Sequence, residues 1–135
     1  MLTLCQDIKR VKYMLSVNID EVSGIAILEP SGPLSKNDFQ LAAKIIDPYI
    51  EKSGLLNGLI VHVELFPGWD SFAALSSHIK FVKGHHKKIS RVAFSTDSMI
   101  GNLAKVIGSH FVSADIKVFS FQELELAKKW IAGDV

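Results

Sequence analysis

Tyr13, Leu15, Val17 and Ile19 alternate with more polar neighbours, the period of two that gives a strand one buried face. The stretch "DEVSG", Asp20 to Gly24, then turns the chain into Ile25 to Leu28, so the pattern predicts a β-hairpin. Beyond "EPSGPL" the period lengthens. Phe39, Ala42, Ala43, Ile46, Tyr49 and Ile50 recur at the spacing of one helical face. Ser35 with Asp38 three residues on suits a capping box at the start of this helix, and Gly54 suits its end. Pro48 lies inside it, where the missing N–H should kink or loosen the last turn.

A third strand is expected from Leu56 to Leu65 on length and β-branched content. A helix from about Asp70 places Phe72, Leu75, Ile79 and Val82 on one stripe and ends near Gly84. Ala74, Ser77 and Phe81 form a second strip, read as further core or as a dimer contact. A fourth strand follows at Arg91 to Ser95, then a helix from Ser98 with Ile100, Leu103, Ala104, Ile107 and Phe111 on one side. The last strand, Ile116 to Phe119, feeds a helix opened by a Ser120/Glu123 capping box, with Leu124, Ala127 and Ile131 facing inward. Strict alternation after a hairpin predicts an α/β domain with a mostly parallel, five-stranded sheet and about four helices. On the strands, Leu59, Val61, Val63, Leu65, Val92, Phe94, Ile116 and Val118 point one way. Their alternates include Ile60, His62, Glu64, Arg91, Ser95 and Lys117, a more polar set. The asymmetry predicts helices mainly on one face.

At 135 residues the chain fits a single domain, with residues 1–12 as an N-terminal extension. Its composition, 48% hydrophobic and 21% charged, is that of a globular protein. A formal charge of +1 gives no global attraction to nucleic acid or to a membrane. The one cysteine, Cys5, excludes an internal disulfide and a multi-cysteine zinc site. With no secretory pattern at the start and no apolar run near the roughly 20 residues that span a bilayer, the expectation is a cytoplasmic protein without a transmembrane segment.

Candidate chemistry concentrates at "FPGWDSFAAL", Phe66 to Leu75, where the third strand gives way to a helix. Parallel sheets bind ligands beyond the carboxyl ends of their strands. That edge gathers Pro30 to Ser35, Phe66 to Ser71 and Thr96 to Ser98. The plain reading is a helix capped by Asp70 with Trp69 closing the core. The sharper reading is a ligand or partner site made by Phe66, Trp69, Asp70, Ser71 and Ser98, where a phosphate on Ser71 would suit the helix start.

Other clusters are weaker. His62 and Glu64 share a strand face but lie about 6.6 Å apart along it, and no G-x-S-x-G elbow presents a serine to them. Catalytic residues are therefore not assigned. His78 and His85 are seven apart, roughly 10.5 Å along a helix, too far for one ion. With His86 and His110 they read as exposed helix-end histidines, so no metal is expected. The basic tract from Lys80 to Arg91 reads as a solvated helix end, with an anionic partner such as a phospholipid headgroup as the alternative. Nucleotide-phosphate motifs are absent, no cofactor is implied, and nothing near Cys5 would activate it.

The blocks "GLIVHVELFPGWDSFAAL", "RVAFSTDSMIGNLAKVI" and "DIKVFSFQELELAKKWI" resemble successive βα units of the SpoIIAA-like, or STAS-like, family of small bacterial proteins. The resemblance runs from "YMLSVN" to "AKKWI". It implies a βα superhelix and a regulatory, non-enzymatic module that binds another protein or its own copy. In the family's anti-sigma-factor antagonists an Asp-Ser-Ser/Thr-Gly motif carries a phosphorylated second hydroxyl. The matching positions here are Asp70, Ser71, Phe72 and Ala73, so that hydroxyl is replaced by Phe72 and the glycine is absent. Ser71 stays the candidate phosphorylation site. The alternative is a small apolar or lipid-like ligand, since CRAL-TRIO lipid-transfer domains resemble this architecture.

Overall fold

The computed structural model describes residues 13–70, 72–98 and 115–133. β1 (Leu15–Asp20) and β2 (Ile25–Pro30) form the expected antiparallel hairpin, Leu15 opposite Pro30 and Asp20 opposite Ile25. In its turn Asp20 Oδ1 accepts the backbone N–H of Val22 at 3.0 Å and of Ser23 at 3.4 Å. These donors, Ser23 foremost, hold the Asp20 carboxyl below its ordinary range.

α1 (Lys36–Ser53) begins at a complete capping box. Ser35 Oγ accepts the Asp38 N–H at 3.3 Å, and Asp38 Oδ2 accepts the Ser35 N–H at 2.7 Å. Asp38 is fully buried, and its second oxygen accepts the Met14 N–H at 2.8 Å. Both carboxylate oxygens are thus engaged, and the start of the hairpin is tied to the start of the helix. The helix continues through Pro48 to a C-cap at Gly54.

β3 (Leu56–His62), α2 (Phe72–His85), β4 (Ile89–Ser95), β5 (Asp115–Phe119) and α3 (Leu124–Ala132) follow, with 3-10 turns at His86–Lys88 and Phe121–Glu123. β3 stops at His62, short of the expected Leu65. Beyond Ser98 the helix expected through Phe111 lies outside the described residues, as do 1–12 with Cys5, and Ser71 and His110. The strands lie in the order β1-β2-β3-β4-β5, parallel from β2 onward.

The sheet carries a core on each face. On one, Leu28, Leu59, Val92 and Phe94 meet Phe39, Ala42, Ile46 and Ile50 of α1, with Phe81 of α2 packed against them. On the other, Ile25, Ile60, Ala93 and Phe119 meet Ala127 and Ile131 of α3. Among the described residues there are three α-helices, two on one face and one on the other, so the expectation of helices mainly on one face is corrected for α3, while the fourth expected helix falls outside the described residues. The cause is topological. A right-handed crossover fixes the face only of a helix that joins two parallel strands, whereas α3 follows the last strand and is free to cover the remaining face. Gly58 makes that docking close, because a Cβ there would collide with the Ile131 side chain.

Two further readings change. Ile116 and Val118 share the register of Val92 and Phe94 but are 39% and 52% exposed. On α2 the second strip is core, since Ala74 is fully buried and Phe81 packs on the main cluster. The stripe through Phe72, Leu75, Ile79 and Val82 falls on side chains outside those described.

Candidate functional site

Beyond β3 the chain turns at Gly68, whose φ of 82° is a conformation open to glycine and strained for other residues. The corner is stitched to the loop before α1. Leu34 N–H donates to Gly68 C=O at 2.8 Å, and Asp70 N–H to Leu34 C=O at 2.9 Å, so Leu34 and Trp69 form a short parallel bridge. A second loop closes on it: Ser98 Oγ accepts the Phe66 N–H at 2.6 Å. Phe66 and Trp69 meet edge to face, centroids 5.3 Å apart. Phe66, Trp69 and Ser98 are therefore brought together at the carboxyl edge of the sheet. Asp70 is exposed and sits two residues before the first residue of α2. Ser71 lies outside the described residues.

The Trp69 ring does more than close the core. Its Nε1–H donates to His78 Nδ1 at 3.1 Å, and the imidazole stacks on Phe39 with centroids 4.8 Å apart. Burial pushes His78 down to about 4, because a charged ring would lose its hydration there. A neutral ring that accepts at Nδ1 carries its proton at Nε2. The aromatic row continues through Phe39 and Phe81 to His85, the last two rings stacked at 4.1 Å.

Between this row and the sheet lies an apolar cavity of about 50 Å³. Leu28, Leu59, Val61, Val92 and Phe94 form its floor, and Phe39, Phe66, Phe81 and His78 its roof. A water needs roughly 10–15 Å³ by a comparable measure, and a site for benzene is about 150 Å³. The space is thus larger than one water and smaller than a whole lipid.

The expectation of exposed helix-end histidines is corrected for two residues. His78 is a roof residue, and His85 is bonded to Asp47 Oδ1 of α1 and to Phe81 C=O, the latter at 2.7 Å. The side chain of His86 is not among those described. The signal was present, since positions 74, 78, 81 and 85 recur at helical spacing, but a histidine in that row does not count as apolar in a pattern reading.

On the opposite face His62 faces Glu29 rather than Glu64. Its Nδ1 lies 3.0 Å from Glu29 Oε2 and its Nε2 3.1 Å from Phe121 C=O. Ser95, the register neighbour of His62, donates its hydroxyl to Ser120 C=O at 2.9 Å. A serine, a histidine and a glutamate thus lie close together, yet hydroxyl and imidazole both spend their bonds on the turn that opens α3. Nucleophilic catalysis needs them bonded to each other. Arg91, counted with the basic tract, is likewise structural: its Nη1 donates to Trp130 C=O, and its guanidinium lies 5.2 Å from the Trp130 ring centre. Lys80, Lys87 and Lys88 are exposed.

Among the described residues no group of three metal-ligating side chains converges, and no helix is long and apolar enough to cross a membrane. Sequentially ordered parallel strands behind a hairpin, with an apolar cavity under the crossover helices, define a small α/β module of the SpoIIAA-like kind. The family model for SpoIIAA-like proteins matches residues 25–132, and the chain belongs to that family. Its fold is similar to the crystal structure of an uncharacterised DUF3478-family protein from Shewanella loihica with a SpoIIAA-like fold. The two are 16% identical at a TM-score of 0.64, covering 90% of this chain and 96% of that one. No curated protein matches in sequence.

Proposed function

We propose that this SpoIIAA-like domain is a non-enzymatic binding module whose ligand is a small apolar molecule, or the apolar end of a larger one, held between the sheet and α1 and α2. The cavity carries the proposal. Space lined almost entirely by apolar side chains matches a hydrocarbon group better than a polar one. At about 50 Å³ it accepts a chain terminus rather than a whole acyl chain, so a bulkier guest requires the Phe39 and Phe81 rings to give way. Native mass spectrometry after gentle purification tests the proposal. A stoichiometric apolar adduct that is lost on filling the cavity, as in Ala42→Phe, supports it; a bare chain that also fails to take up added short-chain hydrocarbons contradicts it.

A second reading, a regulatory module that docks another protein or a second copy at the carboxyl edge, is favoured by Leu65. This leucine is 67% exposed beside Phe66, an apolar side chain set at the rim. Leu65→Asp abolishes self-association or partner capture on this reading and leaves ligand uptake unchanged.

A further inference from the structure

The size limit of the cavity rests on two roof rings that a larger guest has to displace. Phe39 is buried and stacked on His78, whereas Phe81 is only partly buried against the core. Phe81 is therefore the ring with room to swing. What backs it is His85, one helical turn further on and on the same side of α2. The two rings stack, centroids 4.1 Å apart and planes 19° from parallel. His85 is in turn held at both nitrogens: Nδ1 lies 2.7 Å from the Phe81 carbonyl oxygen, and Nε2 meets Asp47 Oδ1 on α1. A carbonyl and a carboxylate only accept, so the ring donates to both as the imidazolium, and its bond to Asp47 is charge-assisted. The imidazole cannot turn without giving up these contacts. We infer that Asp47 and His85 are positioning residues that set the size of the ligand: by pinning the Phe81 ring they admit the slender end of an aliphatic chain and exclude a ring-sized group such as phenyl.

The volume draws the same boundary, about 50 Å³ against roughly 150 Å³ for a benzene site. The chemistry of the lining does not enforce it, since leucine, valine and phenylalanine accept any hydrocarbon surface. Enforcement needs a wall that does not yield. Phe81 lines the cavity, and His85 supports it from outside that lining. The Asp47 side chain is 49% exposed, so water screens the pair and its contribution is modest. That is enough to bias one ring without being needed for the core. Alanine at this helical position also costs nothing in helix propensity, so Asp47→Ala removes the anchor and keeps the fold.

This inference rests on the cavity being a binding site, and the test separates the two. Affinities for benzene and, under gas pressure, for xenon are measured by NMR titration of the intact chain, Asp47→Ala and Asp47→Asn. The expected result is that Asp47→Ala raises the benzene affinity relative to xenon about fivefold, the scale of one hydrogen bond to a half-exposed charged group. Asp47→Asn, whose amide oxygen still accepts from Nε2, restores most of the selectivity. A role in stability alone moves both probes together and leaves their ratio unchanged. Xenon binding with benzene excluded from all three proteins, with an unchanged ratio, or with Asp47→Asn as permissive as Asp47→Ala overturns the role of the pair and leaves the cavity proposal standing. Binding of neither probe overturns both.

Discussion

His78 is where the chemistry of this domain is most exposed to test. A free imidazole titrates near 6.5, and burial lowers this one to about 4. Below 6.5 the unfolded chain takes up a proton that the folded chain refuses. The stability contributed by the neutral ring is therefore complete above pH 6.5 and is lost as pH falls toward 4, about 3 kcal/mol over the whole window. Urea denaturation at pH 7 and pH 4.5 measures it: the unsubstituted chain loses more stability between the two than His78→Phe does, and equal losses contradict the assignment. Trp69→Phe removes the donor to Nδ1 while keeping a ring against Phe66. It costs about 1–2 kcal/mol by leaving a buried acceptor unpaired, and it raises the fraction of the Nδ1–H tautomer seen by nitrogen NMR; an unchanged tautomer ratio speaks against the bond.

At the scale of elements, what the sequence makes legible is what neighbours in sequence decide. Ser35 with Asp38 and Ser120 with Glu123 are three residues apart, so both capping boxes could be read and both are present. The hairpin is equally local. By contrast, α2 bears apolar residues on more than one side, and its inward row contains two histidines whose partners, Trp69 and Asp47, lie on other elements. The helix α3 was legible from its own pattern, but single-strand patterning missed the sheet face that it covers. Ile60, Ala93 and Phe119 form an apolar centre, while His62, Arg91 and Ser95 around it look solvated until α3 and its turn supply their acceptors. Two variants check these contacts. Gly58→Val drives a side chain into Ile131 and destabilises by about 1–3 kcal/mol, with Trp130 fluorescence reporting a displaced α3; a native Trp130 spectrum at full stability contradicts the close approach. Asp38→Ala orphans the Met14 and Ser35 N–H groups and lowers unfolding stability by about 1–3 kcal/mol, since two partly buried donors lose their partner together.

For the whole molecule, the strand order places the two described crossover helices on one face and leaves α3 to close the other, so the domain has two cores of different character. The core under α3 includes polar residues bonded to its turn and C-terminal end. The core under α1 and α2 combines aliphatic and aromatic side chains and lines the cavity. The Trp69 corner belongs to the second, which is how a turn at the rim reaches the interior through one hydrogen bond to His78. Of the candidate site, the place was legible, because loops after parallel strands converge there. The cavity was not, since it depends on how side chains of α1 and α2 meet above Leu59 and Val92. The most direct measurement is methyl NMR of the intact chain under xenon pressure, xenon being small and apolar enough for the space. The account predicts saturable shifts of the Leu28, Leu59, Val61 and Val92 methyls, with Ile25, Ile60 and Ile131 on the opposite face unmoved. Shifts confined to exposed methyls such as Leu65 and Val118, or uniform across both faces, would contradict it.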